Sequence, residues 1–124
     1  MNENYLSVMM EMQNKLNSNV GVSREKASEM DENTLCLWLE HYNSAQICES
    51  GEFWKECSRW WRIRSDDWKE KAAEELIDEI HFLLSKALLL GMSAKDIFDI
   101  YCKKNEKNFH RDTWSYKSPE VKDA

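Results

Sequence analysis

EELIDEIHFLLSKALLLGMSAKDIFDIYCKKNEKNFHRD, residues 74–112, decides the fold. Its first half has a helical pattern. From Leu76 it is apolar nearly all round, yet Glu75 and Asp78 share a face with Phe82 and Leu89 at steps of three, four and seven. This predicts a helix from about Trp68 to Leu90. Gly91 is its natural stop, because glycine adopts the left-handed conformation that closes a helix. Ser93 and Asp96 then have the spacing of a capping box. A further helix is predicted from Ala94 to about Arg111.

The rest of the chain extends this pattern upstream. SRWWRIRSDD, residues 58–67, reads as a connection rich in Trp and Arg. A helix capped by Asp31 or Asn33 runs before it to about Cys57. Ser23 to Glu32 is a short helix or a loop. The first helix covers about Glu3 to Asn17, with Leu6, Met9, Met10, Gln13 and Leu16 on one face, and NSNVG at 17–21 breaks it. With 3 Gly and 1 Pro in 124 residues, the turns that sheets require are scarce. The expectation is an all-α bundle of four to five helices, one domain over residues 1–112 followed by a tail at 113–124.

Composition narrows the function classes. Hydrophobic residues are 42% and charged residues 32%, which suits a soluble globular chain. A net charge of −6 argues against a nucleic-acid surface. Cys36, Cys48, Cys57 and Cys102 form no CxxC pair, so neither a zinc site nor a redox dithiol is indicated. MNENYLSVMMEM lacks the basic start and long apolar run of a signal peptide. The longest apolar stretch, Leu76 to Met92, contains Asp78, Glu79, His81 and Lys86. It is too charged to span a membrane and reads as a buried helix. The expected location is the cytoplasm.

Two pairs of acids occupy positions where a core is expected. Along the second long helix, steps of three and four give Leu35, Trp38, Tyr42, Ala45, Glu49 and Glu52, an apolar stripe that runs into two carboxylates. Glu75 and Asp78 do the same on the next helix. The last helix has a stripe of Ile97, Tyr101, Lys104, Asn108 and Arg111 that turns cationic and amide-bearing. ExxE spacing alone is weak evidence, since Glu29/Glu32, Asp67/Glu70 and Asp96/Asp99 share it. Carboxylates on a buried stripe need a partner. Either the stripe exits to solvent at Glu49, with Lys104 and Arg111 as ordinary ion-pair partners, or the four acids converge on Mg²⁺, whose oxygen ligands are carboxylates, water and phosphate.

These residues also carry a family resemblance. Residues 74–112 resemble the C-terminal half of the all-α dimeric dUTPases, and most closely their phage dCTPase/dUTPase relatives in the MazG-like pyrophosphohydrolase superfamily. EELIDEIHF resembles the second acidic motif of that family, and GMSAKDIF its loop and helix start. YCKKNEKNFHR resembles its Y-x-x-K-N-x-x-N-x-x-R phosphate motif. LSVMMEMQNKLN at 6–17 resembles the first helix, and ICESGEFWKE at 47–56 the first acidic motif. There are two departures: Asp112 stands where the family has Gln, and the connection between the acidic motifs is compressed.

The resemblance implies hydrolysis of dUTP or dCTP to the monophosphate and pyrophosphate in a homodimer or higher oligomer, with host cytoplasm as the setting if the chain is phage-encoded. Two or three Mg²⁺ would be held by Glu49, Glu52, Glu75 and Asp78 and would acidify a water. Glu49 or Glu52 would be the general base orienting that water. Lys104, Asn105, Asn108 and Arg111 would hold phosphate charge. Gln13 and Asn17, one turn apart, would read a pyrimidine edge; otherwise they are two surface amides. Trp38, Trp60 and Trp61 are candidates for stacking on the base, although a Trp on a helical stripe is more often core. His81 reads as a packing histidine rather than a ligand. Other readings are a pyrophosphohydrolase of other nucleotides, a catalytically silent helical dimer, and a helix-turn-helix DNA binder, which the charge disfavours.

Overall fold

The computed structural model describes residues 4–57 and 64–110. Five helices make up the described chain: α1 (Tyr5–Val20), α2 (Arg24–Ala27), α3 (Glu32–Cys57), α4 (Trp68–Leu89) and α5 (Ala94–Phe109). The expected all-α bundle is present. Trp60, Trp61, Arg111, Asp112 and the tail at 113–124 lie outside the described residues.

Local chemistry sets most boundaries. Asn4 caps α1 by accepting from the Ser7 N–H at 3.0 Å. NSNVG does not break α1 at Asn17: the helix continues to Val20 and ends where the Gly21 N–H returns to the Asn17 carbonyl at 2.8 Å. Ser23 caps α2, so the segment left open between helix and loop forms a one-turn helix. Asp31 accepts from the Thr34 N–H at 2.8 Å and starts α3. At the end of α4, the Met92 N–H bonds the Ala87 carbonyl and the Gly91 N–H bonds the Leu88 carbonyl, both at 3.0 Å. This is a Schellman closure, and it holds Gly91 at φ 76°, where a side chain would be strained. The capping box of α5 has both its bonds, Asp96 N–H to Ser93 Oγ at 3.0 Å and Ser93 N–H to Asp96 Oδ2 at 2.9 Å.

α4 is the central element. α3 packs along it antiparallel: Tyr42 meets Phe82, Asn43 accepts from Lys86, and Glu49 approaches Glu75 and Asp78, so rising numbers on one helix meet falling numbers on the other. One core cluster joins Val22, Ala27, Tyr42 and Leu89, with Leu35, Trp38, Leu39 and Phe82 packed on it. A second joins Met10, Leu84 and Leu88, with Leu6, Ile80, Ala94 and Ile97 around it. α2 is pinned to α1 by polar groups. Asn14 accepts from the Arg24 N–H at 2.8 Å and donates to Glu25 at 2.9 Å, while Arg24 pairs with Glu11 and Glu25, each at 2.8 Å.

Two expectations need correction. Leu76–Met92 is not buried all round, because Leu76, Ile77 and Leu83 are each about half exposed and α1, α3 and α5 do not enclose α4. The α5 stripe does not continue as core either. Ile97 packs against the second cluster, but Tyr101 and every described residue after it is exposed. Periodicity specifies which face is apolar; it does not supply an element to cover that face.

Candidate active site

The α3 stripe is graded as the sequence suggests. Tyr42 is buried, Leu35, Trp38, Ala45 and Glu49 are half-buried, and Glu52 is exposed. Glu49, Glu75 and Asp78 each place a carboxylate oxygen within 4.8 Å of the others, across the α3–α4 seam. Among the described residues none of the three forms an ion pair. Glu52 stands apart from this trio and pairs with Lys55 at 3.5 Å, yet its charge still reaches Glu75. Desolvation, then the Asp78 charge, then the Glu49 charge hold the Glu75 carboxyl above its ordinary range.

A cleft of about 410 Å³ opens beside the trio, lined by Glu49 and Asp78 at one end and by Gln13, Asn17, His81 and Ser85 beyond. This is within the usual size range for a small-molecule site. Gln13 and Asn17 are not surface amides; they are 7% and 3% exposed. Gln13 Nε2 donates to Asn17 Oδ1 at 2.9 Å, and Asn17 Nδ2 donates to Ser85 Oγ at 3.0 Å. His81 Nδ1 lies 2.6 Å from Gln13 Oε1, so the histidine is hydrogen-bonded, though its ring is exposed at the cleft. Trp38 is core on one side and meets the His41 ring edge-on at 5.4 Å on the other.

The phosphate-motif residues are placed differently. Lys104, Asn105 and Asn108 are exposed on α5 and line none of the cleft, so the single described chain does not bring them to the acids. Sequence reasoning missed Ser85 and His41, both of which line the cleft. Ser85 carried a usable signal, since it is a lone hydroxyl within LLSKALLL. His41 carried none, because it stands beside the α3 stripe rather than on it.

In this all-helical chain, carboxylates gathered at the seam of two helices could hold a divalent cation beside an amide-lined cleft of small-molecule size. Residues 5–90 match the family model described as dUTPase, and the chain belongs to that family. The match covers α1 to α4 with all four acids, and stops before α5. The chain is also similar to a protein of Enterobacteria phage LZ5 named dCTP pyrophosphatase, 34% identical over 96 residues, or 62% of this chain and 52% of the relative. A protein of the same name from Enterobacteria phage T4 is 32% identical over 80 residues, or 55% of this chain and 44% of the relative. The chain thus spans about half the length of these relatives. No solved structure matches it with significance.

Proposed function

We propose that this chain hydrolyses dUTP or dCTP to the nucleoside monophosphate and pyrophosphate, with Mg²⁺ held by Glu49, Glu75 and Asp78 and with Glu52 beside them. The observation that carries the proposal is the trio of carboxylates beside an amide-lined cleft that Glu49 and Asp78 help to line, in a chain of the dUTPase family. The donor set fits the ion. It is three hard oxygens from two helices with no cation paired to them among the described residues, and a Glu75 carboxyl raised above its ordinary range by desolvation and then by the Asp78 and Glu49 charges. When bound, Mg²⁺ supplies the positive charge that neutralises phosphate oxygens and makes water a better nucleophile.

In this reading Glu49, or Glu52 one turn further on, orients the attacking water and accepts its proton. Water adds at one phosphorus of the α–β bridge, that phosphorus loses its bond to the bridging oxygen, and the nucleoside monophosphate and pyrophosphate separate. Gln13 and Asn17 hold the base at the far end of the cleft from the acids. Lys104, Asn105, Asn108 and Arg111 are proposed to hold phosphate charge, on the strength of the motif rather than of their position in the single chain. The half-exposed Leu76, Ile77 and Leu83 of α4, with exposed Met12 and Leu16 on α1, support a homodimer or higher oligomer. Among the described residues no helix is long and apolar enough to cross a membrane, and we propose a cytoplasmic setting, that of the host for a phage protein.

The test is pyrophosphate release from a panel of deoxynucleoside triphosphates, with Mg²⁺ and with a chelator. The expected result is cleavage of dUTP or dCTP only when Mg²⁺ is present. Equal cleavage of purine triphosphates would move the assignment to a broader pyrophosphohydrolase. No cleavage of any triphosphate would refute it.

A further inference from the structure

We infer that Ser85 is a positioning residue for base discrimination: it fixes the polarity of the Asn17 and Gln13 amides and thereby lets the cleft tell uracil from cytosine. The inference rests on the proposed function. It is carried by a hydrogen-bond chain whose direction can be fixed from one end.

The anchor is a backbone carbonyl. Ser85 Oγ lies 2.8 Å from the His81 carbonyl oxygen, which has no hydrogen to give. The Ser85 hydroxyl hydrogen is therefore spent on that carbonyl. What remains on Ser85 Oγ is an acceptor, so the Asn17 atom 3.0 Å away is the amide nitrogen. Asn17 then turns its oxygen to Gln13, which must present its nitrogen at 2.9 Å. Gln13 in turn presents its oxygen to His81 Nδ1 at 2.6 Å, and that ring nitrogen carries a hydrogen. In the neutral ring Nε2 is left as an acceptor. The chain begins at the His81 carbonyl and ends at the His81 imidazole, and every donor and acceptor along it is determined. Ser85 is 1% exposed, so no water competes for the first link.

Uracil and cytosine show why direction matters. At the pyrimidine edge uracil presents acceptor, donor, acceptor, and cytosine presents donor, acceptor, acceptor. Each edge has one donor position and two acceptor positions, in a different order. An amide free to turn over exchanges its donor and its acceptor and serves either order. An amide held one way serves one better than the other. Gln13, Asn17 and His81 all line the cleft, so the ordered chain is the wall that a base at this end would meet. The family model is described by the uracil nucleotide and the phage relatives are named for the cytosine one, so this edge is where members of such a group can differ.

The experiment compares wild type with Ser85→Ala. The readouts are kcat/KM for dUTP and for dCTP with Mg²⁺, and the affinities of dUMP and dCMP, which test the base end without turnover. In wild type the two bases differ in both measures. In Ser85→Ala the released amides turn over, and both ratios move toward one severalfold, by up to about tenfold, the worth of one neutral hydrogen bond. A general loosening of the fold would lower both nucleotides together and leave the ratios unchanged. If the melting curve shows that Ser85→Ala does not fold, Ser85→Thr, which keeps the hydroxyl, and Ser85→Cys, which weakens it, are compared in its place. A ratio nearer one in the cysteine variant supports the inference; equal ratios overturn it. A wild type that treats the two bases alike, or a folded Ser85→Ala with the wild-type ratio, also overturns it while leaving the proposed function standing. A wild type that neither binds nor cleaves pyrimidine nucleotides refutes the proposed function, and this inference with it.

Discussion

Gly21→Ala and Tyr42→Phe should be strongly non-additive, because both act on one hydroxyl. Tyr42 is buried, and its Oη accepts from the Val22 N–H at 3.1 Å; Val22 is 2% exposed. Removing the hydroxyl leaves that N–H without an acceptor and without access to water, a cost of about 1–3 kcal/mol. At roughly 3–5 °C per kcal/mol for a chain of this size, Tyr42→Phe should melt about 3–15 °C lower. A methyl group at Gly21 would fall on the same Tyr42 hydroxyl, whereas the ring carbon Cζ behind it lies at 3.4 Å. Gly21→Ala alone must therefore push the hydroxyl off the Val22 N–H, losing the same bond and adding the strain of an overpacked site, about 1–3 kcal/mol more. In the double variant the obstructing oxygen is absent and the methyl group meets Cζ at 3.4 Å and the Asn17 carbonyl oxygen at 3.7 Å, both ordinary contacts. It should be about as stable as Tyr42→Phe alone, giving a coupling of about 2 kcal/mol or more. Thermal or urea unfolding of the four proteins gives the cycle. Additivity within about 0.5 kcal/mol would show that the hydroxyl does not bridge α3 to the α1–α2 turn, and would refute the reasoning.

Leu88 is fully buried in the second core cluster, so Leu88→Ala should cost about 3–5 kcal/mol in the same assay. The hydrogen bond from Asn14, then that from Arg24, lowers the Glu25 carboxyl to about 2 from an ordinary 4.5. A depressed folded pKa stabilises above the unfolded value, so this contribution is complete above pH 4.5 and disappears as pH falls toward 2. Glu25→Gln should flatten that part of a melting-temperature profile, and an unchanged acid limb would contradict the assignment. Asp78→Asn should leave the metal-free melting temperature unchanged or raised, because it relieves repulsion on Glu75, and should abolish stabilisation by added Mg²⁺ along with turnover. A large loss of metal-free stability with normal turnover would show Asp78 to be structural.

What was legible in the sequence depended on how local the cause was. The α4 end, Gly91 and the capping box of α5 are settled within a few residues, and they appear where the pattern puts them. The α3 stripe was also legible, because an apolar run ending in Glu49 and Glu52 records a gradual exit from the core. Gln13 and Asn17 were not legible as buried groups. Amides count as polar in any periodic pattern, and besides the bond between the two it is His81 and Ser85, each 68 residues from its partner, that satisfy them in the interior. The last helix failed for the converse reason. Its stripe is real, but nothing in the described chain lies over Tyr101, Lys104 or Asn108.

The site's coherence comes from one column on α4. Asp78, His81 and Ser85 are spaced three and four apart, so they stack along one edge of the helix, each about a turn from the next. Asp78 belongs to the acidic trio, the His81 ring to the end of the amide chain, and Ser85 to its start. α3 approaches this column from one side with Glu49, and α1 from the other with Gln13 and Asn17. The distance between the acids and the amides is therefore set by the rise of a single helix rather than by a loop. A helix is stiff over two turns, so a substrate spanning this column meets a fixed separation between a charged end and a hydrogen-bonding end. A nucleotide has the same division, with phosphates at one end and a base edge at the other. This correspondence supports the proposed nucleotide substrate over an inorganic polyphosphate, which would leave the amide end without a partner.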